Sequence, residues 1–104
     1  MGPPAASRRA MERSAPDVIH NDAQQRFEAT IDGHVNVADY VLSNGTLVMT
    51  HTAVHPSLRG RGVAAALVER ALAFARAEGL KVDPVCSYVQ GYLQRHPEHR
   101  ALAA

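Results

Sequence analysis

The residues Val54-His55-Pro56-Ser57-Leu58-Arg59-Gly60-Arg61-Gly62-Val63-Ala64 separate a run that reads as a strand from one that reads as a long helix. On the strand side, Thr46 to His55 puts Leu47 and Met49 on one face and Val48 and Val54 on the other, the two-residue period of a β-strand. Pro56 cannot donate to a ladder, so it marks the strand's end. On the helix side, from Gly62 to about Glu78, Val63, Ala64, Leu67, Val68, Ala71, Leu72 and Ala75 recur at three- and four-residue spacing. Gly79 supplies a C′ stop. Lys81 to Cys86 reads as a further strand. Strand, helix and strand in succession make a β-α-β unit, whose crossover is right-handed and whose strands are parallel. The junction also carries chemistry. A helix start offers unpaired N–H groups and the positive end of the helix dipole. Glycines let a phosphate approach that backbone, and arginines add charge-assisted hydrogen bonds. The physical reading is an anion cradle, above all for a pyrophosphate. The competing explanation is a tight turn with two solvated arginines.

Upstream, the pattern is antiparallel. Asp17 to His20 reads as a short edge strand, followed by the turn signal Asn21-Asp22. Arg26 to Ile31 places Phe27, Ala29 and Ile31 on one face. Asp32-Gly33, the strongest short hairpin signal, comes next. His34 to Leu42 places Val35, Val37 and Val41 on one face and Ala38, Tyr40 and Leu42 on the other. Ser43-Asn44-Gly45 is a second hairpin turn. Apolar residues on both faces of the last two strands of this meander imply cover on both sides. Downstream, Ser87 is the expected N-cap of a last helix through about Arg95, and Pro97 stops it. The expected fold is α+β: an antiparallel β-meander, then one parallel β-α-β unit and a short C-terminal helix.

The chain has 104 residues and a net charge near +1, with acids and bases mixed. Residues 1–16 are rich in Pro, Ala, Ser and Arg without apolar periodicity and are expected to form a disordered tail. Residues 17–104 then form a single domain. The charge balance argues against nucleic acid, which calls for a basic face. No apolar run is long enough to cross a membrane, and the N-terminus lacks the apolar core of a secretory signal. A single cysteine cannot make an internal disulfide and suits a reducing cytosol, so a cytoplasmic location is expected. His51 and His55 lie four apart on the expected strand and should share a face, yet further ligands are missing and no metal site is expected. Oligomeric state is left open, although an edge strand near Asp17 to His20 could pair between chains.

Three phosphate-binding arrangements compete for the junction. The nucleoside-triphosphate P-loop needs a longer glycine loop ending in Lys and Ser or Thr, which is absent. The dinucleotide fingerprint G-x-G-x-x-G/A is matched formally by Gly60, Gly62 and Ala65, with Asp83 at about the distance of the ribose acid. That site needs a doubly wound parallel sheet, and one crossover after antiparallel hairpins does not supply it. The third is coenzyme A. The stretch Val54-x-Pro56-x-x-Arg59-Gly60-Arg61-Gly62-Val63-Ala64 resembles the motif of the GNAT N-acetyltransferase superfamily, with Arg59, Gly62 and Ala64 matching its Q/R-x-x-G-x-G/A core. More closely, the chain resembles the small single-domain GNAT-like predicted acetyltransferases. The likeness runs from about Arg26 to His99. It includes His51-Thr52 before the motif, the alanine-rich helix, Pro84-Val85-Cys86, and the last helix ending near Arg95-His96-Pro97.

The resemblance implies transfer of an acetyl group from acetyl-CoA to an amine of a small molecule, peptide or protein. Backbone N–H groups of Arg59, Gly60, Arg61, Gly62, Val63 and Ala64 would hold the coenzyme pyrophosphate. The strand near Val54 would pair with the pantetheine arm, and the third and fourth strands would splay to admit the thioester. In larger members a base takes the amine proton and a tyrosine protonates the leaving thiolate. His51, whose ordinary pKa is near neutral, is the candidate base, with a backbone-bonded polar residue as the plainer reading. Tyr88 and Tyr92, four apart on the last helix, share a face. Tyr92 is the candidate donor and Tyr88 a candidate coenzyme contact, with ordinary packing as the alternative for both. Cys86 is characteristic of the small group and would be an acyl acceptor or a polar wall near the thioester, or else an inert buried thiol. An acid commonly follows His-Thr in that group, and Ala53 stands there. The usual acceptor-side helices are also absent, since only Asp32-Gly33 joins the strands that would flank them. The alternative function is a non-catalytic acyl-CoA-binding or protein-interaction module.

Overall fold

Two hairpin turns lay out the sheet. Asp32 and Gly33 take φ of 52° and 79° and join β2 (Arg26–Ile31) to β3 (His34–Ser43). Asn44 and Gly45 take φ of 50° and 78° and join β3 to β4 (Thr46–Ala53). Positive φ at both central residues matches the twist of the flanking strands. These features come from a computed structural model that describes residues 16–104. The expected disordered tail over residues 1–16 therefore lies outside the described residues except for Pro16. A short β1 (Ile19–Asn21) runs antiparallel to β2, and β5 (Lys81–Pro84) runs parallel to β4. The five strands are ordered β1-β2-β3-β4-β5. Between β4 and β5 lie a 3-10 turn (Pro56–Leu58) and α1 (Val63–Glu78); after β5 come α2 (Ser87–Arg95) and a second 3-10 turn (Pro97–Leu102). This is the expected α+β fold, meander first and parallel unit last.

α1 buries the stripe Val63, Leu67, Val68, Ala71, Leu72 and Ala75, the residues its spacing had placed on one face except Ala64, which is half-buried. Against it the sheet presents Phe27, Ala38, Tyr40, Leu47, Met49 and Val82. His20 stacks on Phe27 with ring centroids 4.4 Å apart and bonds the Tyr40 hydroxyl, closing the β1 edge of this layer. Gly79 ends α1 in the left-handed region at φ 68°. No helix of the described residues is long and apolar enough to cross a membrane.

Several details differ from the sequence expectation. The edge strand expected over Asp17 to His20 is Ile19–Asn21, so Asn21 belongs to the strand and not to the turn. The sheet is covered on one face, not two: Val35 is 55% and Val41 46% exposed. Both helices pack on the other face, where Tyr92 of α2 donates a hydrogen bond to Glu69 of α1. β4 ends at Ala53, not His55, because the His55 N–H leaves the ladder for the Asn36 side chain at 2.7 Å. β5 ends at Pro84, not Cys86, because proline has no N–H to continue the ladder. Finally, Cys86, not Ser87, is the N-cap of α2. One feature was not anticipated at all. Between Asp39 and Tyr40 the β3–β4 register slips, so Tyr40 faces Met49, Asp39 faces His51, and Thr50 is an extra residue in β4.

The one-sided core makes a differential prediction. Leu67→Ala, at a site with no exposed surface, should lower unfolding free energy by about 2–5 kcal/mol. Val35→Thr on the uncovered face should change it by less than about 0.5 kcal/mol. Urea denaturation of both variants checks this.

Candidate functional site

The parallel ladder between β4 and β5 runs from Thr46 opposite Lys81 to Met49 opposite Pro84. β5 stops there, and the Cys86 N–H makes a last tie to the Met49 carbonyl at 2.9 Å. β4 continues to Ala53, paired only with β3. The two parallel strands thus part, and a cavity of about 570 Å³ lies beside the freed edge. Its strand side is His51, Thr52, Ala53 and Val54. Its helix side is Leu58, Arg59, Gly60, Gly62 and the first residues of α1, and Tyr88 of α2 closes it.

The helix side is built by the 3-10 turn. Pro56 opens it, and His55 Nδ1 accepts from the Ser57 N–H at 3.1 Å. Leu58 anchors it in the core with no exposed surface. The N–H groups of Arg59 and Arg61 donate within the turn, to Pro56 O and Leu58 O, each at 3.3 Å. Gly60 and Gly62 both sit in the left-handed region, at φ 78° and 81°. A Cβ on either would meet no atom within 4 Å, so the backbone conformation, not crowding, calls for glycine there. Gly62 is also the N-cap of α1, and no side chain caps the helix. The first helical bond is made by the Ala66 N–H to Gly62 O at 3.0 Å. The N–H groups of Val63, Ala64 and Ala65 precede it and lack partners in the helix. No acidic residue occupies the first turn, and no carboxylate lines the cavity. The arrangement fits an anion at the helix start.

The expected site residues divide. Val54, Arg59, Gly60, Gly62, Val63, Ala64, Tyr88 and His51 border the cavity. Arg61 does not: its guanidinium turns outward to Asp32 at 3.8 Å, and its N–H is already used. Tyr92 does not either. Its ring is 4% exposed, its hydroxyl is held by Glu69, and His96 stacks on it with centroids 4.1 Å apart. Cys86 stands one contact away, its Sγ 3.5 Å from the hydroxyl of Thr52, which lines the cavity. His51 and His55 do not form a pair. His51 faces Asp39 in the ladder, whereas the His55 ring stacks on His34 at 3.6 Å, with Nδ1 held by Ser57. Among the described residues no group of three or more His, Cys, Asp and Glu is placed to hold a metal ion.

Burial pushes the Cys86 thiol up, but hydrogen bonding from the Thr52 side chain and the backbone of Val89, Tyr88 and Thr52 outweighs it, so the thiol sits below its ordinary value. The amides of Tyr88 and Val89 belong to the first turn of α2, where the dipole also favours a thiolate. Thr52 and Ala65 line the cavity, but the sequence had named Ala65 only in the dinucleotide fingerprint and Thr52 only beside His51, neither as a coenzyme A contact. Ala65 carried a usable signal, since a helix start leaves its first several N–H groups unpaired. Thr52 carried a weaker one, as the neighbour of His51.

Comparison with known proteins adds to this geometry. The model of a family described as GCN5-related N-acetyl-transferase matches residues 26–102. Protein NATD1 of Mus musculus is 33% identical over 93 residues, covering 85% of this chain and 84% of its own length. Protein NATD1 of Bos taurus is 32% identical over 100 residues, covering 91% of this chain and 88% of its own. Protein NATD1 of Homo sapiens is 32% identical over 93 residues, with 85% and 81% covered.

Because the thiolate is the reactive form, the lowered pKa sets a direction for alkylation. Iodoacetamide should label Cys86 with a pH midpoint below that of an ordinary, unperturbed cysteine. Thr52→Val removes a bond that stabilises the thiolate and should move that midpoint upward. A rate–pH profile for both proteins checks it.

Proposed function

The chain belongs to the GCN5-related N-acetyltransferase family, and from this premise we propose that it binds acetyl-CoA and transfers the acetyl group to an amine of a small molecule, peptide or protein. One observation carries the reading. Arg59 and the first three residues of α1, a helix start that no side chain caps, line a cavity without carboxylates, directly beside an unpaired strand edge. In this reading the amides of Val63, Ala64 and Ala65 and the Arg59 guanidinium hold the pyrophosphate. Gly60 and Gly62 shape the turn that presents them. The backbone edge ending at Val54 takes the amides of the pantetheine arm, as an added strand would. Arg61 acts through the turn it belongs to, not through its side chain.

Bound acetyl-CoA supplies an activated thioester at the parting of β4 and β5. His51 takes a proton from the acceptor amine, whose nitrogen forms the new amide bond as the C–S bond breaks. Tyr88, which borders the cavity, takes the proton-donor role first expected of Tyr92, whose hydroxyl is committed to Glu69. Cys86 is assigned as a polar wall near the sulfur, with its neighbour Thr52 between it and the cavity. The lone cysteine suits a reducing compartment, and we place the protein in the cytosol on that ground.

A non-catalytic acyl-CoA-binding or protein-interaction module is the second reading, and Ala53 favours it by offering no proton acceptor where related small domains commonly carry an acid. Against it, Ala53 faces Val37 and His51 faces Asp39 on the same side of the sheet. An imidazole therefore stands two residues from the missing carboxylate.

Titration calorimetry with coenzyme A, acetyl-CoA and NAD should show binding of the two coenzyme A species and none of NAD. Arg59→Ala should weaken that binding by about tenfold or more, the loss expected of one charge-assisted hydrogen bond. Equal binding by Arg59→Ala removes Arg59 from the cradle, and no binding by the native protein overturns the reading. Acetyl transfer to a lysine-bearing peptide or to spermidine separates enzyme from module.

A further inference from the structure

We propose that Asn36 is a positioning residue for the turn over residues 56–62, and that through its bond to His55 it mounts the helix-start amides beside the freed edge of β4. The proposal rests on the reading of that turn as a pyrophosphate cradle for its functional meaning.

Asn36 is buried where an aliphatic residue would fit. It alternates with Ala38 and Tyr40 on the covered face of β3, and like Ala38 it has no exposed surface. Asparagine is a poor strand former, and a buried carboxamide is costly unless its polar atoms find partners. Here they do. Nδ2 donates to Ala29 O on β2 at 3.0 Å and to His34 O at 3.2 Å. Oδ1 accepts from the His55 N–H at 2.7 Å. Two bonds fix the side chain to the β2–β3 hairpin, and the third reaches a residue 19 positions on, at the exit of β4.

That third bond decides where the chain goes. The last antiparallel pair of β3 and β4 is Val37 with Ala53, and a continued ladder would set Asn36 against Val54 and Val35 against His55. The His55 N–H goes instead to a side chain on the covered face. The chain follows it, and three residues later Leu58 lies in the core with no exposed surface. His55 is held through its ring as well. The ring stacks on that of His34 with centroids 3.6 Å apart, and Nδ1 accepts from the Ser57 N–H at 3.1 Å. The hairpin also touches the far side of the turn, where Asp32 lies 3.8 Å from the Arg61 guanidinium. That pair is exposed and contributes little. The buried bond to His55, in surroundings where water does not compete, is the stronger hold.

Backbone amides cannot adjust by changing rotamer. A cradle made of them is only as well placed as the turn that carries it, and sites on loops are less precise than sites on strands or helices. Asn36 ties the entry of this loop to a strand pair. Loss of its Oδ1 should therefore loosen the turn before it loosens the fold.

The test is amide hydrogen exchange in 15N-labelled full-length protein without coenzyme A, read at His55 and Leu58, with Leu72 of α1 as the measure of global opening. In the native protein the His55 amide should be strongly protected. Asn36→Leu keeps a side chain of similar size and removes the acceptor. It should speed exchange at His55 and Leu58 by about tenfold or more relative to Leu72. Asn36→Asp keeps an oxygen facing the His55 N–H and should keep most of that relative protection. A loss of protection shared equally by Leu72 is what packing alone would give, and it overturns the proposal, as does no change. If Asn36→Leu does not fold, a native His55 amide that exchanges as fast as in an unstructured peptide overturns it equally. Titration calorimetry with coenzyme A then reads the functional role: Asn36→Leu should bind about tenfold more weakly, and equal binding overturns that role. Because exchange is measured without coenzyme A, failure of the native protein to bind it overturns the cradle reading alone, and the hold of Asn36 on the turn is decided by the exchange rates.

Discussion

The candidate site depends on the place where the parallel ladder ends. β4 and β5 are held together from Thr46 to Met49, and Pro84 then offers no N–H. The chain bends, the Val85 N–H bonds Asp83 O at 3.1 Å, and the Cys86 N–H makes the last tie to β4. β4 runs on to Ala53 with one edge unpaired. Backbone groups on such an edge need a partner, whether water or ligand. The opening of α1 meets the same gap through the 3-10 turn, with its own unpaired amides. Two sets of unsatisfied donors and acceptors therefore face one cavity, and one proline decides where it begins.

The sheet is also a partition. Its covered face carries the whole hydrophobic core and both helices, and the cavity opens beside it. Its uncovered face carries Val35, Val37, Val41 and Val48, interrupted by Asp39 and His51. A chain this short has one helical layer to spend on one face, and the short Asp32-Gly33 turn leaves no helix for the other. The cavity and the uncovered face are divided by the thickness of a single sheet.

The far end of the helical layer is closed by polar contacts. His99, 6% exposed, has Nε2 3.2 Å from Glu69 Oε2 and Nδ1 3.2 Å from the Arg76 guanidinium. A guanidinium can only donate, so Nδ1 accepts and Nε2 carries the proton. The Tyr92 hydroxyl completes the cluster on Glu69. It joins α2 and the second 3-10 turn to α1, while Ala104 N–H bonds Val82 O on β5. This is why Tyr92 serves packing even though it shares a helix with Tyr88. The spacing of four residues places both on one stripe, but the stripe spans a turn of helix, and only its first residue reaches the cavity.

Much of this was determined by the sequence alone, wherever local chemistry leaves one solution. Asp32-Gly33 and Asn44-Gly45 demanded tight hairpins, the three- and four-residue spacing demanded a helix from Val63, and Pro56 and Gly79 set its surroundings. The Gly-Arg junction was legible as a strand-to-helix turn with free helix-start amides, because helix starts and glycines act through their own backbone. What only the tertiary structure decided depends on partners distant in the chain. An alternating pattern reads the same with or without one extra residue, so the bulge at Thr50, and with it the faces of His51 and Thr52, followed from pairing with β3. Arg59 and Arg61 look equivalent in sequence, and only the nearby β2–β3 turn, through Asp32, drew one of them away from the cavity. Apolar residues on both faces of β3 promised two layers, but a sheet is covered where helices exist to cover it, and here both fell on one side.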